Sequence, residues 1–78
     1  MKDYIEIYTE DGRKEIMEAV CKFKLKKYNY NYLIYCELDK SHYYLAKYNN
    51  EDLSDLNTDF EDTEFNLACE VFENVVNL

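Results

Sequence analysis

Ile5 and Ile7 alternate with Tyr4, Glu6 and Tyr8, the two-residue period of a strand with one face buried. The only glycine follows at Asp11-Gly12, so the pattern predicts a first hairpin. Beyond it Met17, Ala19, Cys21, Phe23 and Leu25 keep one parity, with Glu18, Lys22 and Lys24 between them, which reads as a long second strand with one apolar face. For Ile5 and Ile7 to share that face, the loop must hold an odd number of residues. Three residues, Glu10-Asp11-Gly12, with Gly12 in the left-handed position of a bulge, meet this demand and set Ile5 opposite Met17.

Lys26 to Asn31 is polar and reads as a connection. A third strand is expected from Tyr30 to Leu38, a turn at Asp39-Lys40-Ser41, and a fourth strand from His42 to Tyr48. That fourth strand shows Tyr43 and Leu45 on one face and Tyr44, Ala46 and Tyr48 on the other, and Asn49-Asn50 ends the sheet. Glu51 to Asp62 is acidic and only sparsely patterned by Leu53, Leu56 and Phe60, an ordered crossing with a short strand at its end. Asp62 is then suited to cap a helix starting near Thr63. On that helix Phe65, Ala68, Cys69, Phe72, Val75 and Val76 form one stripe, with Phe65 and Phe72 expected to carry the core and Leu67 and Val71 to be partly exposed.

The fold class that follows is α+β: residues 1–78 as one domain, a small four-stranded antiparallel meander with a C-terminal amphipathic helix packed on one face. One short helix cannot cover both faces of a sheet. The other face is therefore expected to be left to tyrosines, and alternation nominates Tyr4, Tyr8, Tyr44 and Tyr48.

Charge divides the chain at the same place as the pattern. Residues 1–49 hold all nine Lys and Arg against eight Asp and Glu, whereas residues 50–78 hold nine Asp and Glu and no cation, so the net charge of −8 belongs to the second part. All nine tyrosines lie in the first part. With 47% hydrophobic residues the chain is too apolar for a disordered class, and no apolar run approaches membrane-spanning length. Acidic residues at 3, 6, 10, 11, 15 and 18 are incompatible with the apolar core of a signal peptide, so a cytoplasmic protein is expected, with no membrane partner.

Candidate chemistry is sparse. Cys21, Cys36 and Cys69 are odd in number and widely spaced, which argues for buried reduced thiols rather than disulfides or a zinc site. The acidic run from Glu51 to Glu64 lacks the alternating ligands, central glycine and closing glutamate of a calcium loop and reads as a solvated face. His42 is the only histidine, and no nucleophile or phosphate-binding motif accompanies it. The expectation is no enzymatic activity, no cofactor and no metal. Tyrosines on a sheet face can stack bases, but a chain at −8 repels phosphate, so no direct nucleic-acid binding is expected.

Several stretches together resemble the YrzB-like family of small acidic bacterial proteins, a domain of unknown function. They are Ile5-Glu6-Ile7 leading to Asp11-Gly12, Tyr32-Leu33-Ile34 before a turn and Tyr44-Leu45-Ala46 after it, and Phe60-Glu61-Asp62-Thr63-Glu64-Phe65 leading to Val71-Phe72-Glu73. The resemblance implies a small cytoplasmic bacterial domain and brings no activity with it. This chain departs from the family in its middle turn, where Asp39-Lys40-Ser41 stands in place of a longer acidic loop.

The expected function is a non-enzymatic protein-interaction module that binds another protein, or itself as a homodimer, through Tyr4, Tyr8, Tyr44 and Tyr48. The alternative is an acidic nucleic-acid mimic that occupies the basic groove of a DNA- or RNA-binding protein.

Overall fold

The computed structural model describes residues 3–9 and 11–77. Strands β1 (Asp3–Tyr8), β2 (Lys14–Lys24), β3 (Asn31–Cys36) and β4 (Tyr43–Tyr48) form one antiparallel sheet in the order β1-β2-β3-β4, and the helix α1 (Asp62–Val76) follows. This is the predicted meander with a terminal helix. At the first turn the Thr9 N–H donates to the Arg13 carbonyl at 2.8 Å and the Gly12 N–H to the Thr9 carbonyl at 2.9 Å. Gly12 has φ 84°, a conformation that side chains with a Cβ resist. Ile5 pairs with Met17, as the parity argument required. Glu10, the first residue of the expected loop, lies outside the described residues.

The second strand does not keep one face. Ala19 pairs with Tyr35 but Cys21 pairs with Ile34, so Val20 is an extra residue on β2, a bulge. Directly paired residues share a face of the sheet. Met17 and Ala19 therefore lie with Ile5, Leu33, Tyr35 and Ala46 on one face, while Cys21 and Phe23 lie with Tyr32, Ile34 and Lys47 on the other. The single odd-numbered stripe expected from Met17 to Leu25 is corrected to two stripes. A one-residue insertion inverts every later side chain.

Over β3 and β4 both faces are covered. On the second face α1 brings Glu64 to Tyr32 and Lys47, and Tyr32, Ile34 and Cys36 are fully buried beneath it. On the first face the acidic crossing supplies the lid, because Leu53 and Leu56 line a cleft with Ile7, Tyr35 and Ala46. Asn57 fastens this crossing to β4 by a reciprocal pair of backbone hydrogen bonds with Lys47, 2.9 and 3.0 Å long. That single bridge stands where a short strand was expected. The expectation of a face left to tyrosines is corrected accordingly, since two leucines within an acidic run suffice to cap a narrow, bent sheet.

The helix is rotated from its expected setting. Glu64 and Ala68 are buried, Leu67, Val71, Phe72 and Val75 are half-buried, and Phe65 is 48% exposed. The inward stripe thus begins on a carboxylate, one residue before the phenylalanine that hydrophobicity selects. Capping explains part of this, because Glu61 rather than Asp62 is the N-cap and its N–H donates to Glu64 Oε1 at 3.0 Å. The same carboxylate is then held against the sheet.

Candidate functional site

Among the described residues, Lys47 and Glu64 are the charged side chains enclosed in this fold, 6% and 1% exposed. Alternation along β4 points Lys47 to the helix face opposite Tyr32, and the first turn of α1 lowers Glu64 between them. The Tyr32 hydroxyl donates to Glu64 Oε2 at 2.6 Å, and Lys47 Nζ donates to Oε1 at 3.2 Å and Oε2 at 3.4 Å. Aromatic rings wall off the group. Lys47 Nζ lies 4.3 Å from the centre of the Tyr30 ring and 5.5 Å from that of Phe60, and Tyr32 stacks between Phe23 and Phe60.

Burial works to push the Glu64 carboxyl up, but the Tyr32 hydroxyl, the Glu61 N–H and the Lys47 ammonium outweigh it and hold the group below the usual carboxylate range. The Tyr32 phenol is held far above its ordinary range, first by burial and then by its hydrogen bond to the anionic Glu64. Both oxygens of Glu64 are engaged and the group is closed to solvent. Its work is to anchor the helix start to β3 and β4. The sequence carried a faint signal for it: Glu64 lies three residues after Glu61, the spacing of a capping pair, and Lys47 is a lone cation among the apolar positions of β4.

The four nominated tyrosines do not share a face. Tyr4 pairs with Glu18 and Tyr8 with Lys14, on the helix side of the sheet at its outer edge, where they are 60% and 69% exposed. Tyr44 and Tyr48 lie on the opposite face. Tyr48 is 2% exposed and belongs to the core, so it presents nothing to a partner. Tyr44 stacks on Tyr35 with 5.3 Å between ring centres and donates from its hydroxyl to Glu37 Oε1 at 2.8 Å. What the structure does bring together is Tyr4, Ile16 and Tyr8. Glu6, also exposed, lies between the two rings on β1, Ile16 pairs with it and so stands diagonal to both rings, and Lys14 and Glu18 are at the margins.

His42 meets a serine and a carboxylate at the turn between β3 and β4. Ser41 Oγ donates to Glu37 Oε2 at 2.8 Å, and His42 Nδ1 lies 3.1 Å from Ser41 Oγ and 3.3 Å from Glu37 Oε1. Serine and carboxylate thus crowd the same ring nitrogen, and the serine proton is already directed to Glu37. A relay needs them on opposite nitrogens. Cys36 is buried and Cys21 and Cys69 are half-buried thiols, so only one cysteine is as enclosed as expected. Among the described residues no group of His, Cys, Asp and Glu is placed to hold a metal ion, and no helix is long and apolar enough to cross a membrane.

Comparison with protein-family models, with curated proteins and with solved structures finds no match to this chain.

Proposed function

We propose that this protein is a non-enzymatic, cytoplasmic protein-interaction module that docks through the β1–β2 ribbon, and that it belongs with the YrzB-like proteins its sequence resembles. The observation that carries the reading is the Tyr4–Ile16–Tyr8 patch on the part of the sheet that α1 leaves uncovered. Two tyrosines and an aliphatic side chain set around the Glu6–Lys14 ion pair offer a partner rings that bury area and hydroxyls that find partners at the edge. The patch rides on a paired, hydrogen-bonded ribbon, so little ordering cost attends its use. The nucleic-acid mimic has less to support it. Asp55 accepts from the Asn49 and Asn50 N–H groups and Asp52 from the Ser54 N–H, so these carboxylates turn toward their own backbone rather than along an outward track.

The test is capture from a native lysate by the immobilised protein and by Tyr4→Thr/Tyr8→Thr, at low and high salt. A partner retained at high salt by the parent and lost by the variant supports the ribbon. Partners lost by the parent on adding salt, and indifferent to the tyrosines, would support the acidic mimic instead.

A further inference from the structure

The outer edge of the sheet is β1, and its sequence from Tyr4 to Tyr8 reads Tyr-Ile-Glu-Ile-Tyr, a palindrome about Glu6. We infer that β1 pairs with β1 of a second copy, antiparallel, about a two-fold axis at Glu6. This deepens the interaction-module reading and rests on it, by naming the chain itself as the partner.

The backbone geometry permits this register. Thr9 and Arg13 form a hydrogen-bonded pair, since the Thr9 N–H donates to the Arg13 carbonyl. Hydrogen-bonded and non-bonded pairs alternate along an antiparallel ladder, so Ile7, Ile5 and Asp3 turn their N–H and C=O groups toward β2. The groups of Tyr4, Glu6 and Tyr8 consequently face outward. Among the described residues nothing hydrogen-bonds to them; the turn at 51–54 borders a groove beside Ile5, Glu6 and Tyr8 without pairing to the strand.

A two-fold axis at Glu6 sets Tyr4 against Tyr8 of the second copy, Ile5 against Ile7, and Glu6 against Glu6. All three outward residues of each strand then bond, about six hydrogen bonds across the seam, and shifting the register loses pairs. An isologous contact requires that each residue suit its counterpart, and a palindromic strand meets that requirement by placing like beside like. Tyrosine beside tyrosine and isoleucine beside isoleucine are favourable cross-strand pairs. The Tyr4–Ile16–Tyr8 patches of the two copies become one continuous surface on the helix side. Glu6 beside Glu6 opposes association, and Lys14, whose Nζ lies 3.2 Å from Glu6 Oε1, offsets part of that repulsion in each copy. A charge on an open edge also restrains uncontrolled strand addition. Glu6 is therefore the residue that limits the strength of the pairing.

The experiment is sedimentation equilibrium of the full chain over a wide concentration range, with amide hydrogen exchange on the same samples. The parent is expected to dimerise, more tightly as salt is added, because each copy carries −8. Glu6→Gln removes the central repulsion and is expected to tighten the dimer about two- to fivefold. Exchange at the Tyr4, Glu6 and Tyr8 amides is expected to slow as concentration rises, with Ile5 and Ile7 protected throughout. Glu6→Pro, which removes an outward N–H and the exposed Glu6–Lys14 ion pair but no bond to β2, is expected to remain folded and monomeric. A parent that stays monomeric at millimolar concentration overturns the self-pairing, and it leaves the interaction-module reading standing if the tyrosine-dependent capture persists. A dimer whose outward β1 amides show no concentration-dependent protection overturns the seam even if Glu6→Pro fails to fold.

Discussion

At the β3–β4 end of the sheet the protein encloses a lysine and a glutamate, while at the β1 end it leaves two tyrosines and an isoleucine in solvent. Side-chain polarity alone predicts the reverse. The difference lies in what covers each end. Over β3 and β4 the helix start and Phe60 close one face and Leu53 and Leu56 the other, so even charged groups there lose contact with water. They persist because each finds a partner: the Glu64 carboxylate meets a phenol, an ammonium and a backbone N–H. β1 and the start of β2 have no such lid on the helix side, and there exposure follows position rather than residue type.

The bulge at Val20 is what sets the two ends apart. Were β2 to run through Val20 with strict alternation, Cys21 and Phe23 could reach the helix face only by sending Met17 and Ala19 to the wrong side.

Glu64→Ala is expected to have the largest effect, because it leaves Lys47 enclosed without its counter-charge and Tyr32 without its acceptor. A destabilisation of about 3–5 kcal/mol in denaturant unfolding is expected. The double variant Lys47→Met/Glu64→Leu, which exchanges the ion pair for apolar volume, is expected to recover the part of that loss due to Lys47, with the Tyr32 hydroxyl still lacking its acceptor. If the single variant is nearly neutral, the cluster is not what holds the helix to β3 and β4.

The same cluster predicts how stability depends on pH. Glu64 has its carboxyl depressed in the folded state, so its contribution is full above the ordinary carboxylate range and is lost as pH falls through the depressed value. Tyr32 behaves in the opposite sense. Its phenol is raised on folding, so stability is full below about pH 10, where the unfolded phenol titrates, and declines above it as the unfolded chain gains an ionisation the folded one resists. Urea unfolding across pH is expected to fall at both ends, and Tyr32→Phe to remove the alkaline decline attributable to this residue. An unchanged alkaline limb in Tyr32→Phe would assign that decline to other tyrosines.

The smallest effect belongs to the exposed end. Tyr4→Thr and Tyr8→Thr are each expected to change stability by within about 0.5 kcal/mol, since the rings are largely solvated and threonine keeps strand preference. A much larger loss at low protein concentration would mean that these rings support the monomer rather than present a surface.

The elements themselves were legible from local pattern. The Ile5/Ile7 alternation, the Asp11-Gly12 turn, the Asp39-Lys40-Ser41 turn and the terminal amphipathic run each state a local preference that the fold obeys, down to the pairing of Ile5 with Met17. Those preferences depend on neighbours along the chain, so a single sequence expresses them. Only the tertiary structure decided which side of the sheet each residue faces beyond Val20, because one unpaired residue inverts the alternation without altering the apolar pattern. It likewise decided that Leu53 and Leu56 lie over the sheet and that Glu64 rather than Phe65 turns inward. The grouping of Tyr4 with Tyr8 and Ile16, and the separation of both tyrosines from Tyr44 and Tyr48, has the same origin. Each of these outcomes is set by a contact between residues distant in the chain, and Lys47 met by Tyr32 and Glu64 is the clearest of them: a lysine and a glutamate read as surface residues until the partners that make their burial tolerable are brought together.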